Sequence, residues 1–304
     1  SSKIICGGTI ATLHPEIMLR KLGCSYAVIE EGEVTIVDLL SNLNTPENVP
    51  GIAFIDKNGK YIRNPPRPRV KMIGEEVLHG YKYFDIEAYV HSYQRSCGFR
   101  GMHVSASRGC VYACKFCFRG LTAQVEYRDA ASLADEIMWL KEKFNLEAFS
   151  LSDELPWADK KWMKEFADCL LERKLNLLWQ TSGRVNQFAP KDAELLKHMF
   201  KAGLRRISFG LESASDTMIE KMGKSKGGPE RAERAFRTLR KVGIKVSCSI
   251  LMGFPGETPE TIRETVEFLR RNLLTMRSFF LLQPFPGTPV YESHVKFKVS
   301  EEEW

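Results

Sequence analysis

From about residue 102 onward, short apolar runs alternate with stretches in which apolar residues recur every three or four positions. The runs Met102–Ser107, Ala148–Asp153, Leu177–Ser182, Arg206–Glu212, Lys245–Met252 and Ser278–Pro284 predict six strands. The stretches between them predict amphipathic helices. Their stripes are Leu133, Ile137 and Leu140; Trp162, Phe166, Cys169 and Leu170; Leu195, Leu196, Met199 and Phe200; Phe236 and Leu239 after Ala232; and Ile262, Val266 and Leu269. Gly203 and Gly243 stand where a helix gives way to a strand, and Thr258-Pro259 reads as a helix N-cap followed by proline at the first helical position. Repeated strand–helix alternation predicts α/β architecture with parallel strands. Six strands are too few for a closed eight-stranded barrel. The fold expected over 101–292 is therefore an open, partial (β/α)6 TIM-like barrel, with its chemistry at the C-terminal ends of the strands.

The first 100 residues are patterned differently. Over 1–45 the sequence predicts a strand at Lys3–Cys6, a Gly7-Gly8 turn, a helix near Pro15–Lys21, a strand at Tyr26–Glu30 and a short helix near Val34–Leu40. Two strands and two helices cannot close an α/β domain, and the first strand starts almost at residue 1. We expect this segment to be a fragment of a doubly wound α/β domain. Residues 46–100 read as a linker, marked by Asn48-Val49-Pro50-Gly51 and Asn64-Pro65-Pro66-Arg67-Pro68. Ile52–Ile55 and Tyr61–Ile62, flanking Asn58-Gly59, predict a small hairpin inside it. Residues 293–304 read as the start of a C-terminal extension.

Composition narrows the class. The chain has 304 residues, 43% of them apolar and 27% charged, with a formal net charge of +6. The basic clusters Arg63–Lys71, Arg231–Lys241 and Arg263–Arg271 are scattered among acids and prolines, the pattern of solvated faces rather than of a nucleic-acid stripe. No apolar run approaches the ~18–20 residues of a membrane helix. Eight cysteines without an export signal point to reduced thiols in the cytoplasm, used for metal or catalysis rather than for disulfides.

Three of those cysteines carry the chemistry. The loop after the first barrel strand runs Arg108-Gly109-Cys110-Val111-Tyr112-Ala113-Cys114-Lys115-Phe116-Cys117-Phe118-Arg119-Gly120. Thiolates at C-x3-C-x2-C can wrap one metal centre. A four-iron cubane normally takes four cysteines, so three leave one iron open. An open position separates a reactive metal site from a structural one. Buried structural cysteines, or a zinc site completed by His103, are the competing readings of the same loop.

This constellation resembles the radical S-adenosylmethionine (SAM) superfamily, over about residues 102–292, with Cys110, Cys114, Phe116 and Cys117 supplying its motif. The resemblance implies a [4Fe-4S] cluster on Cys110, Cys114 and Cys117 whose open iron binds SAM. It implies reductive cleavage to a 5′-deoxyadenosyl radical that abstracts hydrogen from substrate. It also implies a reductant such as flavodoxin or ferredoxin, and a small-molecule or lipid-like substrate. Phe116 would lie against the adenine. Asp153 and Glu154 fall where the family holds the methionyl amino group, and Ser182 and Arg184 where it contacts the ribose or carboxylate. Glu212 is placed for the ribose hydroxyls or for substrate, and is the catalytic candidate. Gly253, in the turn Met252-Gly253-Phe254-Pro255-Gly256-Glu257, matches the family's adenine-facing glycine turn. Tyr112, Ser213 and Gln283 complete the expected cofactor-binding set.

The N-terminal zone resembles the last part of the cobalamin-binding domain found in one subclass of this family. Ile4-Ile5-Cys6-Gly7-Gly8-Thr9 and the turn Glu30-Glu31-Gly32-Glu33 carry the likeness, with Gly7 and Gly8 as the matching contacts to the nucleotide tail. The histidine segment D-x-H-x-x-G of that domain is absent, and His14, His79 and His91 stand in other contexts. Cobalamin is thus left open at this point. The readings are a cobalamin-linked methyltransferase, a radical SAM enzyme that forms carbon–carbon bonds, cyclises or rearranges without cobalamin, and a non-enzymatic zinc or nucleic-acid module.

Overall fold

A computed structural model describes residues 2–69, 80–118, 124–225 and 227–295. The chain divides into two compact units. One comprises Ser1–Lys71, Phe116–Thr122 and Pro284–Trp304, and the other Met72–Lys115 and Ala123–Gln283.

The first unit is built on a four-stranded sheet. Strand β1 (Ile5–Cys6) pairs in parallel with β2 (Tyr26–Val28), which pairs antiparallel with β3 (Ile52–Ile55), and β3 with β4 (Tyr61–Arg63). The alternation of side chains along a strand splits the core into two faces. Tyr26, Val28, Ile52 and Phe54 meet Leu39 of helix α3 (Glu33–Ser41) on one face. Ala27, Ile29 and Ala53 meet Ala11 of α1 (Thr9–Leu13) and Leu19 of α2 (Pro15–Lys21) on the other. Helices on both faces are what the doubly wound reading requires.

The linker reading is corrected here. The hairpin predicted at Asn58-Gly59 forms, but β3 zips onto β2 and so belongs to the N-terminal sheet. A residue on β3 finds a second ladder partner and a buried face, which a free linker hairpin lacks. Asn64 fastens the exit from β4, its amide donating to the carbonyls of Pro46 and Val49, each at 2.7 Å. A further helix, α4 (Ile86–Cys97), occupies the end of the same zone, with Asp85 capping it through Ala88 N at 3.1 Å. The C-terminal extension is described only as far as helix Pro289–His294 and residue 295.

The second unit carries six parallel strands in the order β12-β11-β10-β9-β8-β5, namely β5 (Gly101–Val104), β8 (Ala148–Leu151), β9 (Leu178–Gly183), β10 (Leu204–Glu212), β11 (Lys245–Met252) and β12 (Thr275–Leu281). Spatial order follows chain order. Right-handed crossovers then put every connecting helix on one side, which is a partial barrel rather than a doubly wound sheet. The helices are α5 (Ala130–Phe144), α6 (Lys160–Glu172), α7 (Ala193–Lys201), α8 (Asp216–Lys221), α9 (Gly228–Val242) and α10 (Pro259–Arg271). Strand and helix meet through aromatic rings. Phe149 stacks on Trp179 at 5.7 Å, and both meet Phe166 edge-on. A second run joins Phe188, Phe209, Phe236 and Phe268. Such pairs add about 0.5–1.5 kcal/mol each beyond the area they bury.

Two predictions about the barrel need amendment. The stripe Ile262, Val266, Leu269 holds only in part: Leu269 packs against the core and Ile262 is half-buried, but the buried positions of α10 are Thr265 and Phe268, and Val266 is 38% exposed. The reason is polar, since the Thr265 hydroxyl accepts from Ala214 N at 3.0 Å and meets Ser213 Oγ at 3.2 Å. The first barrel strand also ends earlier than predicted. Beyond Val104 the chain leaves the sheet, and β6 (Ser107–Arg108) pairs with β7 (Glu126–Tyr127) as a separate antiparallel ribbon. At the break, Ala106 N and Ser107 N donate to the Asp153 carboxylate instead of to a neighbouring strand.

Candidate functional site

The ribbon sets the start of the cysteine loop at the C-terminal end of β5. Among the described residues all eight cysteines are free thiols, including Cys110, half-buried, Cys114, buried, and Cys117, exposed. Cys110 and Cys114 belong to the barrel unit; the chain passes into the other unit at Phe116. Arg119 and Gly120, the end of the motif, lie outside the described residues. Among the described residues no three His, Cys, Asp or Glu side chains converge as a metal-binding group.

Arg184, just past the end of β9, reaches back to the loop. Its Nη1 donates to Cys114 Sγ at 3.1 Å, and its guanidinium lies over the Tyr112 ring with Cζ 3.7 Å from the centroid. Asn186 Nδ2 donates to the Tyr112 hydroxyl at 3.0 Å. Lys115 N donates to the carbonyl of Met222, which holds the loop to the turn after α8. A cation donating to a sulfur complements the negative charge of a cysteine-ligated cluster. The donor set therefore suits a cysteine-held iron–sulfur centre.

Asp153 follows β8. It is 7% exposed; Oδ1 accepts from Ala106 N at 2.8 Å, from Ser107 N and from Ser107 Oγ at 3.2 Å, while Oδ2 is buried with no partner among the described residues. Burial pushes its carboxyl up to about 6, against the lowering effect of those donors and of Arg128. The buried, unpartnered oxygen is a vacancy for a donor. Ser182 Oγ donates to the Asp153 carbonyl at 3.1 Å, which ties the ends of β8 and β9 together. Glu154 is exposed.

Glu212 ends β10 with φ 64°, a left-handed conformation uncommon for a residue with a side chain. Its carboxylate folds back over Gly210, where an added Cβ would lie 2.5 Å from Oε1. Lys224 Nζ pairs with Glu212 Oε1 at 2.9 Å and donates to the Gly210 carbonyl at 2.6 Å. A pocket bounded by Arg184, Asn186, Gly210, Leu211, Lys224 and Arg231 lies beside this pair. Lys224 and Asn186 were not singled out from the sequence. Only their three-dimensional neighbours give them a place in the site.

The remaining expectations fall apart from this group. Ser213 is buried and its hydroxyl is engaged by Thr265 and by Ser215 N at 3.1 Å, so it braces α10 against the end of β10 rather than facing a ligand. Gly253 has φ 81° and donates its N–H to Glu257 Oε2 at 2.7 Å. Gln283 is exposed. In the other unit, Phe116 is half-buried, and Gly7-Gly8 leads from β1 into α1, where Thr12 N and Oγ1 bond the Gly8 carbonyl and Thr12 Oγ1 accepts from Glu30 N at 2.9 Å.

The inner face of the barrel sheet is polar. Ile207 and Phe209 face the helices, so Ser208 faces the other way; its register partners are Ser182 and Ser247. One row deeper, Gln180 Nε2 donates to Ser150 Oγ at 2.8 Å, and Ser150 meets the Tyr93 hydroxyl at 2.9 Å. Ser247 Oγ is buried without a partner among the described residues. Closed barrels usually fill this space with branched apolar side chains.

Comparison with known proteins agrees with the geometry. Residues 104–269, more than half of the chain, match the model of the radical SAM superfamily. The chain belongs to the radical SAM superfamily of enzymes. An uncharacterized methyltransferase of Pyrococcus horikoshii is 28% identical over 95% of this chain and 62% of its own length. The anaerobic magnesium-protoporphyrin IX monomethyl ester cyclase of Rubrivivax gelatinosus is 27% identical over 95% of this chain and 52% of its own. The solved radical SAM methyltransferase TsrM of Kitasatospora setae, with cobalamin and a [4Fe-4S] cluster bound, superimposes with a TM-score of 0.75 at 22% identity, over 95% of this chain and 57% of that one. The chain thus spans between about half and two thirds of the proteins it resembles, and the shared fold includes the partial barrel. Among the described residues no helix is long and apolar enough to cross a membrane.

Proposed function

We propose that this chain is the core of a radical SAM enzyme that transfers a methyl group with the help of cobalamin. One observation carries the radical SAM part: Cys110-x3-Cys114-x2-Cys117 starts where β5 leaves the sheet, and Arg184 donates to the central thiol. Cys110, Cys114 and Cys117 would hold a [4Fe-4S] cluster, which would supply the electron for reductive cleavage of SAM to methionine and a 5′-deoxyadenosyl radical. The chain's own part is to bind and orient. Asp153, with its unpartnered Oδ2, would accept the methionyl ammonium, and exposed Glu154 stands beside it. Glu212, fixed by Lys224, would take the ribose hydroxyls or a substrate proton. The Gly253 turn and Gln283 would flank the adenine. The row Ser182–Ser208–Ser247 suits a polar small molecule better than a lipid-like one, because a bare hydrocarbon would leave the Ser247 hydroxyl unbonded. A flavodoxin or ferredoxin in the cytoplasm would supply the electron.

Methyl transfer rests on the methyltransferase relatives and on the three-layer N-terminal sheet, where Gly7-Gly8 would meet the cobalamin tail. A second reading, ring closure without methyl transfer, is favoured by the similarity to a cyclase.

Anaerobic reconstitution tests the proposal. The full-length protein should bind about four iron and four sulfide per chain, release 5′-deoxyadenosine from SAM under reduction, and carry cobalamin by absorbance. Zinc without sulfide would end the radical SAM reading; 5′-deoxyadenosine without cobalamin would favour ring closure.

A further inference from the structure

We infer that Arg184 is a positioning residue for the cluster and not a ligand of SAM: it holds the Cys114 thiolate by a charged hydrogen bond and raises the reduction potential of the centre that thiolate ligates. The inference rests on the proposal that Cys110, Cys114 and Cys117 hold a cluster.

The geometry uses the guanidinium in two ways. One edge is committed to sulfur, with Nη1 3.1 Å from Cys114 Sγ. One face is covered, with Cζ 3.7 Å above the Tyr112 ring. That ring is fixed in turn by Asn186 Nδ2, 3.0 Å from its hydroxyl. Arg184 N donates to Gln187 Oε1 at 2.8 Å, so the backbone that carries the guanidinium is anchored too. Tyr112 lies two residues before Cys114 in the loop, and Asn186 two residues after Arg184 beyond β9. The stack is therefore a clasp between the cysteine loop and a barrel strand. A guanidinium so engaged is held in one orientation, with an N–H aimed at sulfur.

The electrostatic consequence follows from charge alone. When one electron enters from a low-potential one-electron donor, the centre gains one negative charge and no bond to Arg184 forms or breaks. A fixed cation at hydrogen-bond distance from a ligating sulfur stabilises the more negative state. Hydrogen bonds to the sulfurs are among the levers that set such potentials. The bond is present in both states and is stronger in the more negative one, so its loss should lower the ratio of reduced to oxidised centre at a fixed potential by up to roughly tenfold.

The experiment uses the full-length reconstituted protein and three readouts: iron and sulfide content, a dye-mediated redox titration followed by electron paramagnetic resonance, and the dissociation constant of SAM. Arg184→Met should retain the cluster, shift the midpoint to lower potential and leave SAM affinity within about twofold; Arg184→Lys, which keeps the charge, should recover part of the shift. Tyr112→Leu removes the covering face and should shift the midpoint in the same direction by less. If Arg184→Met fails to load a cluster, the lysine and Tyr112 variants decide. An unchanged midpoint with SAM affinity reduced tenfold or more overturns the inference while leaving the radical SAM reading intact. Absence of iron and sulfide from the unaltered protein overturns both.

Discussion

Lys224 and Glu212 form an ion pair at 2.9 Å with side chains only 10% and 13% exposed. The pair ties α8's following turn to the end of β10 and holds a carboxylate in a left-handed backbone position. Removing one member strands the other charge in a site that water barely reaches. Lys224→Met should therefore cost about 3 kcal/mol, read as a lower urea midpoint. Adding Glu212→Gln should recover much of that loss, which separates stranded charge from lost packing.

Asp153 sets a pH dependence. Its folded carboxyl titrates near 6 against 3.8 for a free one, so between those values the folded state binds more protons than the unfolded state. Stability then falls as pH rises through that window and is flat above it. The unaltered protein should lose up to about 3 kcal/mol relative to Asp153→Asn between pH 4 and 6. Chemical denaturation at a series of pH values measures this. SAM should reverse it, since an ammonium against Oδ2 favours the charged carboxylate; an unchanged profile with SAM bound would place the ligand elsewhere.

Cys114→Ala should abolish cluster loading, with iron and sulfide falling to background, whereas Cys169→Ala, on the buried face of α6, should leave both unchanged and cost about 1 kcal/mol of stability. Metal analysis and thermal denaturation read the two effects apart.

Gly203 links α7 to β10 at φ 103°, and an added Cβ would lie 2.0 Å from the Leu177 carbonyl oxygen. Gly203→Ala should unfold the barrel or cost more than about 3 kcal/mol. Gly59→Ala, at φ 80° with open space around it, should cost about 1 kcal/mol. Thermal midpoints of the two variants make the comparison.

Phe268→Ala should cost about 3–5 kcal/mol, and Val266→Ser much less, because Phe268 is 1% exposed and Val266 38%. Urea midpoints of the two variants test which face of this helix is buried.

How far the sequence reaches is visible in these residues. The six parallel strands and their helices were legible because apolar periodicity reports which side faces a core. The buried face of α10 was legible only in part, since it is set by a hydroxyl, Thr265, that seeks Ser213 and Ala214. The early end of β5 was also hidden. Met102–Ser107 reads as one strand, and only the Asp153 carboxylate, 46 residues from Ser107 in the chain, shows why the ladder stops. The same separation hides Arg184 from Cys114, 70 residues away, although both were singled out individually. Residue types foretold the candidate chemistry; pairings across the sheet ends required the fold. The hairpin was found and its partner missed, because a register with β2 leaves no mark in the turn that makes it.

The ribbon of Ser107–Arg108 against Glu126–Tyr127 closes the base of the segment that carries all three cysteines. The chain leaves and re-enters the barrel at neighbouring points, so the six-stranded sheet does not register how many residues lie between them. Doubling the length of such a loop costs only about 0.6 kcal/mol. Insertions after the Cys110–Cys117 motif can accumulate over evolution at little cost to folding. The scaffold can also mature first and receive its inorganic cargo afterwards, so that assembly of the protein and assembly of its cofactor become separate events open to separate control.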